Sequence, residues 1–280
     1  MNRKLILALG FAALLCSTVS AQELLTRRIT KTDRFDFGAG GTVAITGTPN
    51  GSIRVSASAT NEIVITADIE LQGRSAADLD RLANVTGFIT DETMGRTAVV
   101  SFGTHNKLGD KKLWKKFPKT LLGLPFRIDY TITVPRYTDV EIDGGKGDLA
   151  ISGVEGSIRV NFLDTNAKVE VIGGSSAMTF GSGKADVSFG SRGWRNRTAT
   201  VQMATGDLTV HLASTASAQI DAIVLRTGKI ENIFPDLKPR DRKTPFTDRA
   251  MLAKAGVGGA PMKFSVGDGT LTIKPLTLPF

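Results

Sequence analysis

A short phrase that recurs along the second half of the chain constrains the fold more than any other feature. It is a glycine or alanine, a polar residue and then an aliphatic–polar–aliphatic triplet. Apolar residues with period two predict half-buried strands, and the leading glycine predicts a corner between them. Copies begin at Gly147, Gly156, Ala167, Gly206 and Gly269, with an earlier copy at Gly51 and a shortened one at Gly228.

Repeats of roughly 20 residues, each a short strand and a corner, are typical of stacked solenoids. We therefore predict an all-β, single-domain parallel β-solenoid (β-helix) over residues 22–280, with one short helix from Ser75 to Ala83. We also predict φ > 0 at several of Gly147, Gly206, Gly228 and Gly269. The inward residues are expected to be Leu149, Ile151, Ile158, Val160, Val169, Val171, Val187, Phe189, Leu208, Val210, Leu212, Ile220, Leu271 and Ile273.

The first 21 residues have the pattern of a secretory signal peptide. Arg3 and Lys4 precede an apolar run, and Val19 and Ala21 supply small residues before a cleavage point. We therefore expect export to the periplasm, the cell surface or the exterior. A lipid anchor on Cys16, the single cysteine, is the alternative, although Leu15 before it is bulky for such processing.

The charge that remains after cleavage is modestly positive. Removing Arg3 and Lys4 leaves 35 − 2 = 33 basic residues against 27 acidic ones, a net +6. This balance suits both an anionic envelope surface and ordinary solubility. No apolar run long enough to span a bilayer follows residue 21, so we predict no transmembrane segment after cleavage. Because the chain is expected to be exported, we predict no role with nucleic acid.

Further phrases support a family resemblance. Val43 to Gly47 reads Val-Ala-Ile-Thr-Gly, Tyr130 to Pro135 reads Tyr-Thr-Ile-Thr-Val-Pro, and glycine-led repeats follow. Over about residues 40–275 the chain resembles the bacterial putative-adhesin family of β-strand-repeat envelope proteins, a domain of unknown function, and is similar to the head domains of auto-transporter adhesins. The resemblance implies an exported, non-enzymatic adhesin-like or structural envelope protein, without cofactors and without catalytic residues to carry over.

Residues for catalysis or metal binding are sparse. Beyond residue 21 there is no cysteine, and the two histidines, His105 and His211, are far apart in sequence, which argues against a nucleophilic triad and against zinc. Residues 144–148, Gly-Gly-Lys-Gly-Asp, approach a calcium-binding turn, but the aspartate comes one residue early, which favours a plain corner. We predict no catalytic, cofactor-binding or metal residues.

A carbohydrate-active β-helix enzyme, either a polysaccharide lyase or a glycosidase, is the alternative function. A glycosidase needs two facing carboxylates, and Glu170, Asp186 and Asp221 are outward residues that would stack into a row. Nothing in the sequence selects an acid–base pair from that row, and the outward faces lack aromatic platforms for sugars.

Two stretches interrupt the repeats, at about residues 103–126 and 235–262. We name the first the basic insert. It carries a candidate contact site for an anionic envelope lipid or glycan, or for another envelope protein. In the alternative, its aromatic side chains pack the insert onto the solenoid while its lysines stay solvated. The candidate residues are Lys111, Lys112, Trp114, Lys115, Lys116, Phe117 and Lys119.

Overall fold

A computed structural model of the chain describes residues 24–38, 40–190, 197–241, 243 and 245–277. The predicted signal peptide, with Cys16, lies outside this part. The described residues form an all-β fold in which 16 strands join into one large, mostly parallel sheet, which confirms the predicted fold class at that level. None of their helices is long and apolar enough to cross a membrane.

Six strands and one helix precede the basic insert. The helix matches its prediction, since the Ser75 hydroxyl caps it by accepting from the Asp78 N–H at 3.2 Å. The first and fifth strands lie in stretches for which the repeat pattern predicts nothing. The elements are β1 (Leu25–Asp36), β2 (Thr42–Asn50), β3 (Ile53–Ser58), β4 (Glu62–Gly73), α1 (Ala76–Asn84), β5 (Gly87–Thr93) and β6 (Arg96–Phe102).

The basic insert and ten strands follow. A second helix, α2, lies within the insert, so the expectation of one helix was too low. Residues 235–262, predicted to be irregular, contain two short strands and the start of a third. The elements are α2 (Lys111–Lys115), a 3₁₀ turn (Lys119–Leu121), β7 (Phe126–Pro135), β8 (Asp139–Lys146), β9 (Leu149–Ser152), β10 (Ile158–Val171), β11 (Ser176–Phe189), β12 (Ala199–Leu212), β13 (Ala218–Asn232), β14 (Lys238–Pro239), β15 (Ala250–Ala255) and β16 (Ala260–Pro275).

The strands β10, β11, β12 and β16 form a parallel stack in which equivalent residues lie side by side. Ile158 pairs with Ser176 at one end of the β10–β11 ladder, and Val171 pairs with Phe189 at the other. On the far side of β10, β8 pairs with its first half and β9 with its second half. Each position along the strand therefore forms a column of side chains spaced by about 4.8 Å.

Each long strand of this stack turns a corner near its middle. In β10, Phe162 and Thr165 are both buried while Leu163, between them, is exposed. Strict alternation cannot bury positions three apart, so the inward face changes from even-numbered to odd-numbered residues there. The two halves of the strand thus approach one interior from different directions.

Glycines occupy most of a column at this corner, in which Thr165 of β10 takes the position beside Gly183. Gly147, Gly206, Gly228 and Gly269 have φ of 145°, 129°, 123° and 138°, which confirms the predicted positive values. A Cβ on Gly206 would lie 2.0 Å from the carbonyl oxygen of Gly183 in the neighbouring strand. Left-handed dihedrals and close approach of strands therefore both demand glycine.

The predicted inward residues form the core of the stack. All fourteen are buried, and the most exposed of them, Ile151, keeps 2% of its surface. Nine residues alternate with the inward ones along the strands and point outward by the same pattern, and none of the nine is buried. Those nine are Ala150, Arg159, Lys168, Glu170, Asp186, Thr209, His211, Asp221 and Thr272.

The order of strands in space departs from their order in the chain. β16 lies between β12 and β13, although β13 follows β12 in sequence. At the other end, β3 lies between β9 and β7, so residues 62–135 are placed on the opposite side of β2 and β3 from the repeats. The chain therefore does not add its strands one after another.

Candidate functional site

The basic insert leaves the sheet at the end of β6, beside a polar network inside the core. The Ser101 hydroxyl lies 2.8 Å from the Tyr130 hydroxyl and 3.0 Å from the Thr48 hydroxyl, and all three side chains are buried. Burial raises the pKa of Tyr130 to about 12, against a smaller opposing effect of the bond to Ser101. The network holds β2, β6 and β7 together where the insert begins.

Asn106 fixes the first turn of the insert. Its side-chain oxygen accepts from the N–H groups of Gly103 and Leu108, at 3.1 and 3.3 Å, and its amide group donates to the Ser101 carbonyl at 2.8 Å. Lys107 has φ of 53°, the one positive value outside glycine in the described chain. A side chain that bonds its own turn stabilises such a conformation.

His105 lies at the same base rather than with a catalytic partner. Its ring stacks on Phe126 at a centroid distance of 5.5 Å. Burial lowers the pKa of His105, and a hydrogen bond with the Gly47 backbone opposes that effect. The ring also lines a shallow groove of about 570 Å³ together with Asp143 and Leu163.

Helix α2 is capped and latched by local contacts. The Asp110 carboxylate accepts from the Lys112 N–H at 2.8 Å. The Trp114 indole N–H donates to the Leu108 carbonyl at 2.8 Å, and its ring packs against Phe117 at 5.1 Å. Phe117 is half-buried and packs on the core. Both aromatic candidates therefore hold the insert in place.

The lysines of the insert remain exposed and carry uncompensated charge. The insert contains six lysines and one aspartate, a net charge of 6 − 1 = +5. Within the described chain, no carboxylate forms an ion pair with any of the six, whereas Arg27 and Arg96 each pair with a carboxylate at 2.6 Å. The six are Lys107, Lys111, Lys112, Lys115, Lys116 and Lys119.

Two leucines complete this surface. Leu108 is 42% exposed and Leu113 is 44% exposed, while the other large apolar side chains of the insert are buried or half-buried. Neither leucine is among the seven candidate residues that the sequence predicts. The Trp114–Leu108 bond that joins the two leucine-bearing segments has no sequence pattern that would reveal it.

The expected row of carboxylates does not form. Asp186 lies in register between Lys168 and Thr209, and Glu170 lies in register with Ser188. Asp221 belongs to the other half of the stack, where it binds Arg240 and lies in register with Lys263. That prediction is wrong because strand register, rather than repeat number, decides which side chains are neighbours.

His211 does have a carboxylate partner. Its Nε2 lies 3.1 Å from an Asp186 oxygen across the β11–β12 pair. Ser188 is in register with His211, and the three residues lie on an outward face of the stack. The geometry suits a surface contact between strands.

Residues 144–148, which approach the sequence of a calcium-binding turn, form a tightly packed corner between strands. The Asp148 carboxylate accepts from the Asn166 amide at 3.3 Å. A Cβ on Gly145 would lie 2.2 Å from the Pro49 carbonyl oxygen. In the described residues, no group of three or more acidic, histidine or cysteine side chains is placed to hold a metal ion.

Comparisons with known proteins give remote structural likeness. A putative cell adhesion protein from Clostridium sporogenes matches 89% of this chain and 100% of its own, with 13% identity and a TM-score of 0.48. A putative adhesin from Bacteroides fragilis matches 88% of this chain and 97% of its own, with 11% identity and a TM-score of 0.35. No family model and no curated protein matches the chain. At these identities the likeness does not extend to function.

Proposed function

We propose that the protein is an exported, non-enzymatic, adhesin-like or structural envelope protein. Its parallel strands form a β-solenoid, and its basic insert contacts an anionic component of the envelope. The in-register stack, the corner in each long strand and the glycine column support the solenoid. The signal-peptide pattern of residues 1–21 supports export to the periplasm, the cell surface or the exterior.

The uncompensated charge of the basic insert carries the binding proposal. Six lysines lie within residues 107–119, and none of them forms an ion pair with a carboxylate in the described chain. Lysines of the stack such as Lys168 and Lys184 are also without an ion pair there, but they are dispersed along the chain. A lysine near an anionic membrane contributes about 1 kcal/mol. Five lysines together are therefore sufficient for weak adhesion. The attraction fades beyond a Debye length of about 8–10 Å, and added salt shortens that length and weakens the adhesion.

Binding to anionic surfaces tests this proposal. We would replace five lysines of the insert with glutamine and measure binding to vesicles containing phosphatidylglycerol and to dextran sulfate. The changed residues are Lys111, Lys112, Lys115, Lys116 and Lys119.

A control with the same net charge separates a local site from general attraction. It replaces five exposed lysines of other regions with glutamine. Binding that falls at least tenfold in the insert variant but not in the control supports the proposal, and equal loss in both, or no loss, contradicts it. The control residues are Lys146, Lys168, Lys184, Lys254 and Lys263.

A further inference from the structure

The basic insert presents apolar side chains and cations at one place. Leu108 directly follows Lys107, and Leu113 lies between Lys112 and Trp114. The indole bond from Trp114 to the Leu108 carbonyl ties the two leucine-bearing segments together. Both leucines therefore lie within one short segment that this hydrogen bond holds together, and each of them directly follows a lysine in sequence.

This combination distinguishes between the two kinds of anionic ligand. A charged glycan offers partners for lysines but no apolar phase that would take up leucine side chains. An anionic bilayer offers both, because its phosphates lie beside the acyl boundary into which interfacial segments bury apolar residues. Leu108 and Leu113 are 42% and 44% exposed beside the lysines, whereas Phe117 of the same segment packs on the core.

We propose that the basic insert docks on the surface of an anionic lipid bilayer, with Leu108 and Leu113 inserted at the acyl boundary and the surrounding lysines on lipid phosphates. The hydrogen bond from the Trp114 indole to the Leu108 carbonyl holds the two leucine-bearing segments together. This inference rests on the proposed function, which it deepens by naming lipid as the partner.

The insert is already ordered for such docking. Asn106 holds its first turn, Asp110 caps α2, and Phe117 anchors it to the core. A segment that is held in its bound conformation loses little conformational entropy when it binds. Docking then requires no folding step, and affinity depends on the apolar side chains and on charge.

The experiment uses the purified protein and a Leu108→Ser/Leu113→Ser variant in which every lysine is retained. Its control is Leu163→Ser/Leu225→Ser, since these leucines are 62% and 57% exposed in other regions. Vesicles of phosphatidylcholine with phosphatidylglycerol, vesicles of phosphatidylcholine alone, and dextran sulfate are the probes. We expect the insert variant to lose about tenfold in affinity for the anionic vesicles and to keep its affinity for dextran sulfate, while the control keeps both.

Unchanged vesicle binding by the leucine variant would overturn the lipid inference. Wild-type binding to dextran sulfate without binding to anionic vesicles would also overturn it, and would leave a glycan as the partner. Neither outcome touches the proposed function, which depends on the lysine variant. If the lysine variant binds both probes as the wild type does, the proposed function fails as well.

Discussion

The stack of β10, β11, β12 and β16 and the basic insert are built from different kinds of contact. In the stack, a side chain packs against residues far away in sequence, because each strand lies beside its counterpart in another strand: 176 − 158 = 18 positions between β10 and β11, and 262 − 199 = 63 positions between β12 and β16. In the insert, the bonds of Asn106, Asp110 and Trp114 all join residues no more than six positions apart. The stack depends on register between strands, whereas the insert depends on its own local turns.

The two regions also treat charge differently. Outward side chains of the stack meet partners in neighbouring strands, as His211 meets Asp186 and Asn161 meets Asp143. The lysines of the insert project from a segment that has no neighbouring strand to supply carboxylates. The insert therefore concentrates unpaired positive charge in one segment, whereas on the stack the paired side chains lie among dispersed lysines such as Lys168 and Lys184.

Replacing a core residue of the stack tests its dependence on packing. Leu208 is fully buried, so Leu208→Asp would bury an unpaired carboxylate and lower the free energy of unfolding by about 3–5 kcal/mol or more. Gln202→Asp, on the outward side of the same strand, is the control, with an expected change within about 0.5 kcal/mol. Chemical unfolding measures both. A stable Leu208→Asp protein would contradict the inward assignment.

The glycine column gives the next largest effect. In Gly206→Ala, the new Cβ would clash with the Gly183 carbonyl oxygen, and the alanine would have to adopt an unfavourable φ. Together these effects should lower the free energy of unfolding by about 2–5 kcal/mol. Gly95 has φ of 72° with no atom within 4 Å of its Cβ position. Gly95→Ala should therefore cost only the conformational part, about 1–2 kcal/mol. Equal costs would show that close approach between strands contributes nothing.

A substitution in the insert should act locally. Phe117→Ala removes a half-buried side chain that packs on the core and on Trp114, so it should weaken the insert by about 1–2 kcal/mol. Hydrogen exchange should quicken for residues 107–121 and stay unchanged in β10–β12. Lys116→Ala, which removes an exposed neighbour, should leave both unchanged. Faster exchange throughout the stack would show that the two regions are not independent.

The smallest effect concerns an ion pair at the corner. The Arg226 guanidinium and then the Thr227 hydroxyl bond the Asp268 carboxylate and lower its pKa from 3.8 to about 2. A carboxylate whose pKa is lower in the folded state stabilises that state at any pH above its unfolded pKa. This contribution is lost as the pH falls through its folded pKa. Asp268→Asn should therefore be slightly less stable than wild type at pH 7, with a difference that shrinks between pH 3.8 and about 2. Unfolding curves across this range measure it, and a constant difference would exclude the carboxylate as its source.

The alternation of residues 149–273 by itself determined which side chains are buried, because the side-chain period of a strand is a local property of the backbone. The positive φ of the corner glycines and the cap of α1 at Ser75 were equally local and equally predictable. Alternation alone does not decide the buried face in β6, where the apolar residues Ala98, Val100 and Phe102 also alternate with their neighbours. The structure buries the opposite face, because Ser101 turns inward to bond Tyr130.

Only the tertiary structure decided which strands are neighbours. The repeats resemble one another, so each could pair with several others, and β16 enters between β12 and β13 without any sequence signal. The same choice separated Asp221 from Glu170 and Asp186 and removed the expected row of carboxylates. It also left the lysines of the basic insert without a carboxylate ion pair in the described chain. The side-chain period of a strand and the conformation of a turn depend on residues that are neighbours in sequence. The pairing of strands and the exposure of side chains depend on residues that the fold brings from elsewhere in the chain.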